Sequence, residues 1–292
     1  MRCLEAKLVT KMIALKRIIK VAISIFYYLA SLGKFIFLRW ILKKSNQRLV
    51  ILCYHGVPHE HRQTFCQHVR GILRAGKPCR LDILTSAPRD DLLIGVTFDD
   101  AFANIIHNAL PVLHQNRIPA TIFIPSGNLG YPPKWRIEQE WAYAKDRIMS
   151  SEELREILSP LVSIGSHSVS HEDLRKLSDE MVWWELLESK KSLEQIIERP
   201  IDLFAFPYGY YNGRSVALAQ KAGYRWAFTS DPDVASYDQS CFLMGRFGVD
   251  FDDWRIEFWL KIRGAYAWRG KIRWRKQHLP KAAFSLAQKG DE

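Results

Sequence analysis

Cysteine is scarce in this chain. Five of its 292 residues are Cys (Cys3, Cys53, Cys66, Cys79 and Cys241), an odd number with no C-x-x-C spacing. That excludes a disulfide-stapled small scaffold and favours a reducing compartment. Acidic residues are nearly missing from both ends: residues 1–48 hold eleven Lys/Arg and one acid, and residues 261–292 hold nine and two. The stretch between them therefore carries a net charge of −6 within a total of +11. A nucleic-acid enzyme would place its basic charge around the site rather than on the flanks, where anionic lipid is a natural partner. There is no internal repeat, no low-complexity tract, and no small-residue cleavage pattern ahead of Lys34 that would mark a secretory signal. An apolar content of 48% with 25% charged residues is ordinary globular composition, enough for one large domain or two small ones. Ten Trp and eleven Tyr suit sugar or membrane-interface contacts as well as an aromatic-rich core.

A long uninterrupted hydrophobic run is also lacking. Residues 21–33 are thirteen positions without a charge; Lys34 breaks the run, and residues 35–38 resume it. A spanning helix wants roughly 20 apolar residues, and a Lys near its centre costs roughly 2.5–3.5 kcal/mol. Basic residues flank both sides (Lys11, Lys16, Arg17 and Lys20; Arg39, Lys43 and Lys44), so positive charge does not orient it. An interfacial helix fits as well as a span. The C-terminal region repeats the theme, with Trp254, Phe258, Trp259, Tyr266, Trp268 and Trp274 interleaved with Arg and Lys. Such mixing suits a headgroup layer or single-stranded nucleic acid, and the apolar N-terminal run favours the membrane.

Between these ends, short apolar runs stop at polar residues. Residues 49–54 run into His55, 93–98 into Asp99-Asp100, and 120–124 into Pro125. Residues 161–164 run into Gly165-Ser166-His167, 203–206 into Pro207-Tyr208-Gly209, and 225–229 into Ser230-Asp231. Helices fit the intervals 101–115, 151–158 (Ser150 and Glu153 forming a capping box), 178–198 (Ser178 as N-cap) and 212–222 (ending at Gly223). The alternation predicts a parallel α/β sheet or barrel, whose post-strand loops gather on one face. His55, Asp99-Asp100, His167 and Pro207-Tyr208 would then be neighbours.

Asp99 and Asp100 put two carboxylates at one strand end, where paired carboxylates commonly divide their roles. Alternatively they cap the helix that follows. His167 and His171 lie four apart; on a helical turn both rings would reach one ion, and imidazole suits zinc and similar metals. Alternatively they are surface residues near a helix start. Taken together, one carboxylate and two imidazoles leave positions open for water and substrate, as catalytic rather than structural metal sites do.

Thr97-Phe98-Asp99-Asp100, Ser166-His167-Ser168-Val169-Ser170-His171 and Phe204-Ala205-Phe206-Pro207-Tyr208-Gly209 resemble, in order and spacing, the motifs of the polysaccharide deacetylases, the NodB-homology or carbohydrate esterase family 4 enzymes. The resemblance covers roughly residues 49–260. It implies a distorted (β/α)7 barrel and metal-dependent removal of an N- or O-acyl group from a sugar. It also implies that Asp99 is the general base, that Asp100, His167 and His171 hold the metal, usually Zn2+, and that Tyr208 offers its backbone N–H to the oxyanion. Two positions depart from the pattern. The Arg that usually orients the catalytic Asp is replaced by Ala205, which makes Arg246, in Met244-Gly245-Arg246-Phe247-Gly248, the candidate substitute. The usual C-terminal general-acid His is also missing, since only His278 follows His171. His55, in Leu52-Cys53-Tyr54-His55-Gly56-Val57, looks like the element that precedes the Asp-Asp motif in the circularly permuted branch, and it takes the acid role. His59, His61, His68, His107 and His114 read as structural or exposed.

The expected organisation is a membrane-associated segment over 1–48, a deacetylase domain over 49–260 and a basic aromatic tail over 261–292. The expected substrate is a glycan or lipid-linked sugar met at the membrane, most simply on the cytoplasmic face of the inner membrane of a bacterium. A deformylase acting on a lipid-linked amino sugar is a close variant. No nucleic acid or obligate protein partner is expected. An inactive carbohydrate-binding or assembly protein on the same fold is the competing reading, and the complete Asp-Asp-His-His set argues against it.

Overall fold

A computed structural model describes residues 2–40, 48–83, 92–135, 146–236 and 242–278. Cys241, Lys43, Lys44, the residues after 278 and the side chain of Trp274 lie outside what is described. The chain begins with one long helix, α1 (Arg2–Trp40). Its portion Lys11–Leu38, 28 residues of mean hydropathy 1.8, is long and apolar enough to cross a membrane. Then come β1 (Arg48–Tyr54), α2 (Arg62–Ala75), the short β2 (Lys77–Pro78) and β3 (Leu92–Phe98). β1 and β3 are buried at every position but the first. Their apolar runs do not alternate because both faces of a parallel sheet are covered.

The expected helix over 101–115 is shorter and broken. It forms α3 (Asn104–Asn108) and α4 (Leu110–Gln115). Asp100 and Ala101 have positive φ, which delays the start, and Pro111 has no N–H to continue the first helix. β4 (Ala120–Ile124) is followed by α5 (Ser151–Glu156), which carries the expected Ser150/Glu153 capping box. β5 (Val162–Ser166) extends two residues past its expected end. α6 (Asp179–Ile197) is capped by Ser178, whose hydroxyl accepts from the Met181 N–H. After β6 (Leu203–Ala205), α7 (Gly213–Lys221) starts with an Asn212/Ser215 capping box, and Gly223 follows its end at φ +80°. The chain finishes through β7 (Trp226–Phe228), β8 (Ala235–Ser236), β9 (Leu243–Met244), β10 (Phe247–Gly248), α8 (Arg255–Lys261) and α9 (Ala267–His278).

The sheet runs β10-β1-β3-β4-β5-β6-β7-β9, parallel along this path, with β2 beside β3 and β8 pairing antiparallel with β1. Only Gly245 and Arg246 separate β9 from β10, so one short stretch pairs with both ends of the curled sheet. This is the expected distorted (β/α)7 barrel. A large apolar cluster lies between sheet and helices. A smaller one, with Leu49, Ile51, Phe123, Leu203 and Phe228, occupies the concave face. Side chains alternate along a strand, so that face continues through Cys53, Thr97, Gly165 and Ala205 to the strand ends. Gly165 is required there, because a Cβ would collide with the Phe123 ring.

α1 packs along α8 and α9. Arg17 Nε donates to Glu257 Oε2 at 2.6 Å, the Trp268 indole donates to Ser24 Oγ at 2.9 Å, and Tyr28 meets Trp259 edge-on at 5.2 Å. The opposite side of α1 leaves Met12, Leu15, Ile19, Phe26, Leu29 and Phe37 exposed.

Candidate active site

Asp99 follows β3 and is 4% exposed. Its N–H donates to the Tyr54 carbonyl at 2.8 Å, tying the end of β3 to β1. Arg246, fully buried, grips the carboxylate with both terminal nitrogens, NH1 to Oδ1 at 2.6 Å and NH2 to Oδ2 at 2.7 Å. The guanidinium is itself fixed by the Thr229 carbonyl (3.1 Å) and Thr97 Oγ1 (3.2 Å). Burial alone would raise the Asp99 carboxyl, but the Arg246 charge, helped by His167, holds it well below the usual carboxylate range. The candidate substitute for the Arg missing at Ala205 thus meets Asp99 from the opposite end of the chain. Asp99-Asp100 is not a helix cap: α3 begins at Asn104 without any side-chain cap. A buried thiol, Cys53 Sγ, also lies 3.4 Å from Asp99 Oδ2.

Asp100 takes φ 67°, in the left-handed region, which directs it differently from Asp99. Its Oδ1 lies 3.2 Å from His171 Nε2 and 3.7 Å from His167 Nε2. His167 and His171 are not on a helical turn. They sit on the loop after β5, where Ser168 (φ 64°) and His171 (φ 62°) bend the chain so that the rings meet edge-on, 4.8 Å apart. His167 Nδ1–H donates to the Ala205 carbonyl at 2.7 Å, which leaves Nε2 as an acceptor facing the aspartates. Burial pushes the His167 imidazole down to about 4, despite both carboxylates, so it is neutral at pH 7. Trp135 stacks on His171 at 4.3 Å, and Tyr208 covers it edge-on at 4.5 Å.

The loop bearing the two histidines is held by a residue the sequence reading missed. Glu185 on α6, 2% exposed, accepts from the backbone N–H of Val169 (2.8 Å) and Ser170 (2.9 Å) and from the Ser170 hydroxyl. From the other side, Ser126 N–H donates to the Ser168 carbonyl and Gly127 N–H to the Val169 carbonyl, each at 3.0 Å. Tyr208 (φ 57°, ψ 5°) forms a left-handed turn with Gly209 (φ 67°). A Cβ at Gly209 would strike Ser230. His55 follows β1 and lies near both aspartates. All seven residues singled out from the sequence, Arg246 included, converge on this mouth of the barrel.

Asp100, His167 and His171 each offer one ligand atom, and these atoms lie within 4.8 Å of one another, all buried. Asp100 Oδ1 has no partner that meets hydrogen-bond geometry, and neither has His171 Nδ1. An orphaned buried carboxylate oxygen between two imidazoles is costly unless a cation completes it. The residues therefore fit a divalent metal.

Comparison with known proteins agrees with this geometry. The polysaccharide deacetylase family model matches residues 86–227. The Bacillus subtilis (strain 168) protein YxkH, named for the same family, is 24% identical over 221 residues, which cover 72% of this chain and 74% of YxkH. The poly-beta-1,6-N-acetyl-D-glucosamine N-deacetylase of Staphylococcus aureus (strain MRSA252) is 26% identical over 168 residues, and the match spans 55% of its length. Among solved structures, IcaB from Ammonifex degensii superposes with a TM-score of 0.61 at 22% identity, covering 75% of this chain and 97% of that one. A polysaccharide deacetylase from Bacillus cereus superposes at 0.62 and 22% identity, covering 74% and 69%. Fold, motif order and family model coincide: residues 86–227 of this chain form a polysaccharide deacetylase domain.

Proposed function

We propose that the chain is a metal-dependent hydrolase that removes an N-acetyl or other acyl group from a sugar, in a glycan or lipid-linked glycan, at a membrane surface. The observation that carries this reading is Asp100 Oδ1, buried between two imidazoles without a hydrogen bond of proper geometry, beside an Asp99 clamped by Arg246.

Asp100, His167 and His171 would hold the ion, zinc by the preference of imidazole ligands. When bound, it supplies Lewis-acid polarisation of the acyl carbonyl and lowers the pKa of water, so that a weakly basic carboxylate suffices. Asp99, kept ionised by Arg246, accepts the proton of the attacking water. The Tyr208 N–H donates to the acyl oxygen as negative charge develops there. The C–N bond then breaks, and His55 gives its proton to the leaving nitrogen, so that a carboxylic acid and a free amine result.

Two features support the membrane location. The exposed apolar side of α1 is too extensive to be left in water. Its contacts with α8 and α9 run from Arg17 to Tyr28, about 16 Å of helix at 1.5 Å per residue. A helix committed to protein over that length lies in the interface more readily than it crosses. Free thiols at Cys53, Cys66 and Cys79 favour the cytoplasmic side.

Elemental mass spectrometry of the detergent-purified chain, paired with acetate release from N-acetylated glycolipids, tests the chemistry. Wild type is expected to carry one metal. His167→Ala should lose both metal and turnover, whereas Asp99→Asn should keep the metal and lose turnover. A wild type that takes up no zinc, cobalt or nickel would instead favour an inactive sugar-binding protein.

A further inference from the structure

Beside the catalytic mouth lies a cleft of about 760 Å3, whose walls come from α1, α8, α9 and the loop after β1. Residues 13, 16, 17 and 20 of α1 line it, a spacing that puts them on one helical face. His55 and Gly56 also line it, so the cleft borders the site at His55. Two of its cations are committed: Arg17 to Glu257 and Lys261 to Asp253. Among the described residues, Lys16, Lys20 and Arg269 make no ion pair, and all three are exposed. Lys16 and Lys20 are like charges at i and i+4, an arrangement that opposes the helix until an anion neutralises it. Asp250 and Asp252 also line the cleft and are solvent-exposed. One further donor is available. Tyr266, 3% exposed, lines the cleft with a hydroxyl that makes no hydrogen bond of proper geometry.

We propose that this cleft binds the phosphate or diphosphate of a glycosyl phosphate, through Lys16, Lys20, Arg269 and the Tyr266 hydroxyl, while the acylated sugar lies over Asp100, His167 and His171. The inference rests on the deacylase reading and names its substrate class. The order across the molecule is apolar face of α1, cationic cleft, then metal-ligand triad. That order matches a molecule built as lipid, phosphate, sugar. A neutral polymer needs no such cation set, and a soluble nucleotide sugar would use the cleft but not the apolar face.

Equilibrium binding to the full chain in phosphatidylcholine nanodiscs tests this without relying on turnover. Three probes are used: N-acetylglucosamine linked to farnesyl diphosphate, UDP-N-acetylglucosamine, and a phosphate-free N-acetylglucosamine trisaccharide. The expected result is that Lys16→Glu/Lys20→Glu weakens both phosphate-bearing probes at least tenfold and the trisaccharide less than twofold. Arg269→Glu should do the same. Tighter binding of the farnesyl probe than of the nucleotide identifies a lipid-linked source, and equal binding a soluble one; both support a phosphate site. Charge reversal that leaves the phosphate probes unchanged, or weakens the trisaccharide equally, overturns the proposal. So does a wild type with no preference for phosphate. His167→Ala should keep phosphate binding, so a chain that binds the probes without hydrolysing any sugar would refute the deacylase reading and leave the cleft assignment standing.

Discussion

Arg246 is the residue on which the chemistry of Asp99 turns. It is fully buried, and its charge is what outweighs the burial of the Asp99 carboxyl. In Arg246→Gln the main force opposing burial is gone and the carboxyl rises. Because the base must be ionised, the acid limb of the pH profile of kcat/KM should move upward, and activity at pH 7 should fall by roughly 10²-fold or more. Arg246→Lys keeps the charge but not the two-pronged grip, so it should recover part of the shift. Removing one partner of a buried pair also costs about 3–5 kcal/mol of stability. The profile therefore has to be read on protein shown to be folded by circular dichroism. An Arg246→Gln enzyme with an unmoved acid limb would mean that Asp99 is not the titrating base.

At the scale of elements, α6 and α2 each contribute one buried titratable group. On α6, Glu185 holds the histidine loop by two backbone donors and a hydroxyl. Glu185→Gln can accept only on its single carbonyl oxygen. Metal affinity should fall roughly 10–100-fold, as it does when supporting groups of metal sites are lost, measurable by chelator competition; unchanged affinity would make Glu185 a folding residue only. On α2, His68 stacks on Phe258 of α8 at 3.9 Å, and burial pushes it from 6.5 down to about 4. The folded protein thus holds it neutral where the unfolded chain protonates it. Its contribution, up to about 3 kcal/mol, is present above pH 6.5 and is lost as pH falls towards 4. Urea titrations between pH 7.5 and 4.5 should show a smaller acid loss for His68→Gln than for wild type, and parallel losses would refute the assignment. How much of this was legible follows from element length. The strands ending at Tyr54, Phe98 and Ile124 were readable because buried parallel strands are continuous apolar runs, and the three motifs because each is contiguous at a strand end. Arg246 was only a candidate, since β9 and β10 are two residues each and show no period. The histidine loop was misread as helical because spacing alone does not reveal two left-handed residues. Glu185 could have been found: with Ser189, it is a polar residue inside the apolar stripe of Val182, Leu186 and Leu193.

At the scale of the whole molecule, exposed apolar side chains are dense on the helices at its two ends. Met12, Leu15, Ile19, Phe26 and Leu29 of α1 are exposed, as are Trp254, Ile256 and Trp259 around α8 and Ile272 on α9. Basic charge is concentrated in the same terminal segments, 1–48 and 261–292. Apolar burial and attraction to anionic lipid should therefore add. The chain is expected to sediment with vesicles of 30% anionic lipid in low salt. About 1 M NaCl shortens the screening length to about 3 Å, so it should weaken this binding but not abolish it, because the apolar contribution persists. Ile19→Glu/Phe26→Glu should shift the protein to the supernatant without loss of fold, since both positions face away from α8 and α9. Alkaline carbonate then separates the two geometries left open by helix length. A helix lying in the interface, with Arg17, Ser24 and Tyr28 on the protein, is released by carbonate. A spanning helix is retained. Retention would mean that α1 leaves α8 and α9 in the bilayer, and the cleft it helps to wall would then be open on that side.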